Sequence, residues 1–222
     1  MSTTMTRNYT CSVCGETHRY RILTSTNAFG CPDLDTRPPQ MKRNTMPFWV
    51  HECPSCGYCA EDVNDPTHVT REYLHSEEYQ TCSGMRFGER LGARFYRQHL
   101  ILLHDRQFIR AFFAVLHAAW VCDDIGEKEN AVQCRRIAAD LMETAILPGE
   151  STDSYYVLYA DVLRRSGQFE KLTDQLADVW LENEYLRKLL AFEYALAKRK
   201  VDGCYTVNDA ETFYEAICEQ PE

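Results

Sequence analysis

Two short cysteine pairs constrain this chain more than any other feature. Cys11-Ser-Val-Cys14-Gly15 and Cys53-Pro-Ser-Cys56-Gly57 repeat one device. A tight turn sets two thiols on one side, and the glycine that follows permits a backbone geometry in which amide N–H groups point at sulfur. Two such knuckles supply four soft ligands, a closed tetrahedral set suited to Zn2+. Strand-like stretches flank them, residues 18–23 after the first and 48–52 before the second, as in a zinc ribbon. The interval between the pairs is long for a minimal ribbon, and its excess falls in residues 26–46. Cys59 extends the second pair to a spacing also found at iron–sulfur clusters. A cluster would leave the first knuckle unexplained, so the assignment is zinc on Cys11, Cys14, Cys53 and Cys56. Whether Cys31, Cys59 or His51 joins the site is open from the sequence alone, and four thiolates already satisfy zinc.

The chain has 222 residues and eleven cysteines, a number that in a secreted protein would suggest disulfides. Its first residues lack the apolar stretch of a signal peptide, so reduced thiols and a cytoplasmic location are expected. The longest nearly apolar run, residues 111–122, is too short to cross a bilayer. A net charge of −9 argues against unspecific binding to nucleic acid. The charge is uneven, however: before Val50 the basic residues Arg7, Arg19, Arg21, Arg37, Lys42 and Arg43 face only Glu16, Asp33 and Asp35.

Composition changes near residues 82–92. Paired cysteines and most prolines lie before that point, and apolar residues at helical spacing lie beyond it. The expected fold is α+β, mainly α. A small zinc-ribbon-like β domain with a long inserted loop (1–64) leads through a bridging helix and linker (65–92) to a helical, tetratricopeptide-like domain (93–222). Asp65-Pro66-Thr67 reads as a cap and first helical turn, opening a helix to about Gln80. Phe108, Phe112, Val115, Ala119 and Cys122 form one apolar stripe and Ile109, Phe113, Leu116 and Trp120 its neighbour, which predicts a helix buried over a wide face. Further helices follow around Ala131–Ala145, Tyr156–Leu163, Phe169–Val179, Leu186–Ala197 and Ala210–Cys218, with a break at Pro148-Gly149.

Tyr156 to Leu172, with large residues before Gly167 and Phe169 after it, resembles a tetratricopeptide repeat, and an earlier copy runs through Trp120, Gly126 and Ala138. The two glycines are 41 residues apart, against a usual period of about 34. An antiparallel bundle with no repeat ancestry reads the same pattern.

Phe29-Gly-Cys-Pro-Asp-Leu-Asp-Thr-Arg-Pro-Pro, the knuckle from Trp49 to Tyr58, Ala118-Ala-Trp120 and Leu163-Arg-Arg-Ser-Gly167 together resemble a bacterial family, the domain of unknown function 2225. The resemblance spans about residues 9–179. It implies a bacterial cytoplasmic protein with a zinc-ribbon-like head and a tetratricopeptide-like body, and it implies no activity. Cys59 and the repeat spacing depart from the family pattern.

Three function classes compete. A non-enzymatic protein-interaction adaptor or regulatory protein fits a rigid metal head on a grooved helical body. Its expected contacts are Asp33, Asp35, Arg37, Lys42 and Arg43, gathered in a proline-stiffened loop. These charges could equally pair with one another and fold the loop down. A nucleic-acid-binding zinc ribbon is the alternative, with the early basic excess and Phe48, Trp49 and Tyr58 as stacking candidates. A metal-dependent or iron–sulfur enzyme comes last. A four-thiolate site has no open coordination position, and no nucleophile motif or phosphate loop stands out.

Overall fold

A computed structural model describes residues 2–148 and 152–218, the side chains of 215–218 excepted. Just over half of the chain is helical, and two small two-stranded sheets lie near its beginning. Strands β1 (Thr3–Thr10) and β2 (Thr17–Ser25) form an antiparallel ribbon, and β3 (His51–Glu52) and β4 (Cys59–Ala60) a minimal one. The helices are α1 (Gln40–Arg43), α2 (Arg71–Leu74), α3 (Glu77–Gln80), α4 (Arg90–His104), α5 (Phe108–Ile125), α6 (Lys128–Leu141), α7 (Asp153–Arg165), α8 (Phe169–Gln175), α9 (Glu184–Lys198) and α10 (Val207–Cys218). A π-helical turn, Met142–Ile146, continues α6.

The chain divides into two compact units, and the division falls elsewhere than composition suggested. Residues 1–28 and 40–134 form the first, so α4 and α5 belong with the cysteine knuckles and not with the later helices. Residues 29–39 and 135–222 form the second. The reason is packing. In the first unit α4 lies along α5 and also against β4, and the stripes predicted on α5 are buried almost all round, with Phe112, Val115, Leu116 and Trp120 in the core beside Phe95 and Ile101 of α4. Glu52, next to Cys53, draws Arg90 and Arg94 of α4 to 2.9 Å each and Arg97 to 3.7 Å, which ties the second knuckle to that helix.

The single helix expected from Pro66 to Gln80 is replaced by a turn and two short helices. Asp105 at the end of α4 accepts bonds from the Thr67 hydroxyl at 2.6 Å and the His68 amide at 2.9 Å, holding that segment out of helical geometry. Thr70 and Ser76 then cap α2 and α3 through their hydroxyls. Of residues 48–52, expected as strand, only His51–Glu52 form one, and Phe48 ends a 3-10 turn, Met46–Phe48.

In the second unit α7 packs on α8 and α9, and α9 on α10. Leu158, Leu163, Leu172, Leu189 and Phe192 are buried here. Gly126 and Gly167 close α5 and α7 alike. Both adopt left-handed geometry (φ 77° and 75°), and the next amides, Glu127 and Gln168, reach back to Cys122 and Leu163 at 2.8 and 2.9 Å.

His99 of α4 is fully enclosed, and its Nδ1–H donates to the Ala111 carbonyl at 2.8 Å. Burial pushes its pKa down to about 4. The unfolded chain takes up this proton near pH 6.5, so the native state loses stability as pH falls from there towards 4, by about 3 kcal/mol in all. Urea midpoints of zinc-saturated protein should drop across that window, and His99→Gln should flatten the drop. An equal slope in the variant would assign the acid sensitivity to other groups.

Candidate metal centre

The two knuckles are built alike from the backbone outward. The Cys11 amide donates to Glu16 O at 2.9 Å and the Gly15 amide to Cys11 O at 2.8 Å. The Cys53 amide donates to Tyr58 O and the Gly57 amide to Cys53 O, both at 2.8 Å. Gly15 and Gly57 share φ 78°, and a Cβ on either would meet nothing within 4 Å. The glycines are therefore required by conformation and not by crowding.

These turns bring four sulfurs together, all within 4.8 Å of one another. Cys11 Sγ lies 3.7 Å from Cys56 Sγ, and Cys14 Sγ lies 3.6 Å from Cys53 Sγ. A tetrahedron with metal–sulfur bonds of about 2.3 Å has edges of about 3.8 Å. The cross-knuckle pairs stand at that separation, and the thiols are not joined as disulfides. The cluster can hold one metal ion and leaves it no free position.

Electrostatics point the same way. Burial holds the Cys11 and Cys56 thiols above their ordinary range, while amides of Val13, Cys14 and Tyr58 favour their thiolates. At Cys53 burial is outweighed by the Cys56 and Ser55 amides together with hydrogen bonds from the neighbouring thiols, and the net shift is downward. N–H groups aimed at sulfur stabilise negative charge that only a cation can balance in so small a volume.

Tyr20 supplies an independent test of fit. Its ring is buried at the centre of β2, and its hydroxyl has no oxygen or nitrogen partner among the described residues. It lies against Cys53, with Cys11 and Cys56 near, and burial followed by those sulfurs keeps it protonated. A buried donor facing thiols is satisfied once one of them is a metal-bound thiolate. Tyr20→Phe should lower zinc affinity by about tenfold or more in competition with a chromophoric chelator. Unchanged affinity would mean that the hydroxyl plays no part.

A second set of bonds fixes the knuckles from outside. Arg71 donates to Cys14 O and Tyr79 to Gly57 O, each at 2.7 Å; Asn64 Oδ1 receives the Thr10 amide at 2.7 Å. The Ser12 amide reaches Val63 O at 2.9 Å. Nothing in the local sequence flags these residues, since each acts across a turn or helix end more than 50 positions away, apart from Tyr79, which acts across 22.

The remaining candidates separate. Cys59 is fully buried outside the four-sulfur group, its thiol donates to Gly57 O at 3.5 Å, and burial pushes it up to about 12. The iron–sulfur spacing is thus not realised in space. Cys31 and His51 also lie outside the group. His51 is buried edge-on against Tyr20, with ring centres 5.5 Å apart, and burial lowers its pKa. Tyr58, expected as a stacking surface, is buried, and Phe48 and Trp49 are half-buried.

The charged loop splits. Asp33, Asp35 and Arg37 are buried inside the second unit, which withdraws them from the recognition surface expected of them. The loop docks on residues 205–207: Leu34 N donates to Tyr205 O at 2.9 Å, and Val207 N to Pro32 O at 3.0 Å. Asp35 accepts from Arg165 at 2.9 Å. Lys42 is exposed and Arg43 half-buried, both on α1 in the first unit. The fold-down alternative describes the three buried charges.

Comparison with protein families, curated proteins and solved structures finds no match to the chain.

Proposed function

We propose that this chain is a zinc-stabilised, non-enzymatic interaction protein whose second unit takes an apolar peptide segment flanked by acidic residues. Zinc is the metal best suited to four thiolates in a closed tetrahedral set, and such a centre serves structure and not catalysis. The observation that carries the interaction reading is a cavity of 560 Å3 along α8, α9 and α10, floored by Leu176, Val179, Leu190 and Ala191 with Tyr194 and Tyr214 beside them. That volume suits a ligand-sized segment.

Its charged lining is Arg187, Lys188 and Glu184, with Lys188 paired to Glu184 at 3.1 Å, an excess of one cation in a unit that carries most of the chain's negative charge. Arg187 stacks over the Trp180 ring at 4.5 Å, and Lys188 and Lys198 lie over Tyr214 and Tyr194 at 5.9 and 4.7 Å. Trp180 is 76 % exposed, an unusual state for so large an apolar ring. Lysine or arginine over aromatic rings beside an apolar floor favours a partner that offers apolar anchors and carboxylates together.

The test is fluorescence anisotropy of labelled peptides that alternate apolar residues with Glu. Saturable binding is expected, at least tenfold weaker when Lys replaces Glu, and lost in Ala191→Glu, which places a charge on the exposed floor. If the acidic and basic peptides bind equally, charge does not select the partner. If neither binds, the groove has another use.

A further inference from the structure

A crevice in the first unit is lined by groups that neither the metal nor the peptide groove uses. It runs between β4 and the α4–α5 pair. The wider part, 190 Å3, lies among Trp49, Phe113 and His117, and a narrow extension of 20 Å3 reaches Tyr58 and Ile101. Gln98 and Leu102 wall both parts.

Gln98 is the anomaly. It occupies the apolar period of α4, three residues after Phe95 and four before Leu102, and is only 6 % exposed. Its side-chain amide forms no hydrogen bond to any described residue and borders the crevice instead. The amide is not sealed from solvent but opens into the crevice, where water or a ligand meets its donor and acceptor.

The walls narrow the choice. The Trp49 indole N–H is fixed by Thr45 Oγ1 at 2.9 Å, and the His117 ring packs edge-on between Trp49 and Phe95 at 5.2 and 5.1 Å. These are rigid aromatic surfaces that favour a flat ring. The wider part has room for about six waters at 30 Å3 each, which is one ring system and less than a drug-sized ligand. A glutamine amide offers one donor and one acceptor side by side, which complements an amine next to a ring nitrogen, the edge that adenine presents. The mouth disfavours anions. Its one cation, Arg110, is shared by Glu61 at 3.3 Å and Asp65 at 4.0 Å.

We propose that this crevice binds a neutral adenine-type heterocycle, as the free base or nucleoside, with Gln98 reading its edge and Trp49 and Phe113 covering its faces. The site would let a small metabolite act on a protein whose partner surface lies elsewhere, and it stands or falls independently of the metal and groove readings.

The experiment titrates the zinc-loaded full chain with adenosine, purine riboside, AMP and an oligo-deoxyadenylate, by calorimetry and by the 15N side-chain signal of Gln98. Adenosine should bind and move that signal. Purine riboside, which lacks the amine, should bind at least about fivefold more weakly. AMP should bind more weakly than adenosine at low salt. Gln98→Leu, similar in size, should keep the melting temperature and lose adenosine. If that variant does not fold, the adenosine and purine riboside comparison on the unaltered protein decides. No binding at millimolar adenosine, equal binding of the two nucleosides, or tighter binding of the oligonucleotide than of adenosine would each overturn the proposal.

Discussion

Cys53→Ser, or removal of metal by a strong chelator, is expected to abolish hydrogen-exchange protection across residues 2–25 and 51–60. The β1–β2 ribbon explains the size of the effect. Of its strand residues only Tyr20 is buried, so the ribbon has almost no hydrophobic core of its own. An isolated two-stranded hairpin is marginal in water, and β3 and β4 contribute only two residues each. A metal ion held by the four sulfurs would join them. Structural zinc contributes roughly 10–16 kcal/mol in small zinc peptides, comparable with the whole stability of a typical domain. Purified protein should hold close to one zinc per chain. Cys122→Ser, at an equally buried sulfur outside the cluster, should cost about 1 kcal/mol and leave the ribbon protected. Metal-free protein with an unchanged exchange pattern would end the zinc reading, and iron with visible absorption would replace it by a cluster.

The knuckles were legible because each is a local pattern: four residues and a glycine determine their own turn. The long helices were legible for a related reason, since a stripe such as Phe108, Phe112, Val115 and Ala119 repeats its signal over several turns. What escaped were decisions made at a distance. Pro66 reads as a helix start, yet Asp105, some forty positions on, holds that segment as a turn. Tyr20 looks like one more inward strand residue, and only the closed cluster gives its hydroxyl a partner. Gln98 sits where the period calls for an apolar side chain, a local inconsistency that a reader of sequence would count as noise. The boundary between units was missed because α4 and α5, whose stripes read like those of the later helices, pack with the knuckle unit, and because the Phe29–Pro39 loop belongs with helices more than a hundred residues later.

That loop gives the second large effect. Asp35→Ala should destabilise the second unit by about 3–5 kcal/mol, the usual cost of removing one partner of a buried pair. Asp35 is wholly buried, accepts from Arg165 at 2.9 Å, lies 3.7 Å from Arg135, and receives the Arg37 amide at 3.1 Å. Both arginine side chains are themselves buried, so truncating the carboxylate removes a counter-ion that the two share in a medium that solvates charge poorly. The neighbouring carboxylate Asp161 also acts on Arg165 and Arg135, but it is shared with Arg164 at 3.1 Å, which Glu193 and the carbonyls of Val201 and Gly203 hold as well. Asp35→Asn, which keeps shape and one acceptor, should cost less than Ala. Lys42→Ala, at an exposed charge, should stay within about 0.5 kcal/mol. Exchange protection of α7 and of the amides of Leu34 and Val207 reports the second unit by itself, and these should loosen together in Asp35→Ala. A double-mutant cycle with Arg165→Ala isolates the pair. If Asp35→Ala leaves α7 and both loop amides as protected as before, the loop is held by its backbone bonds to residues 205–207, and its buried charges are free to be read as a site and not as a brace.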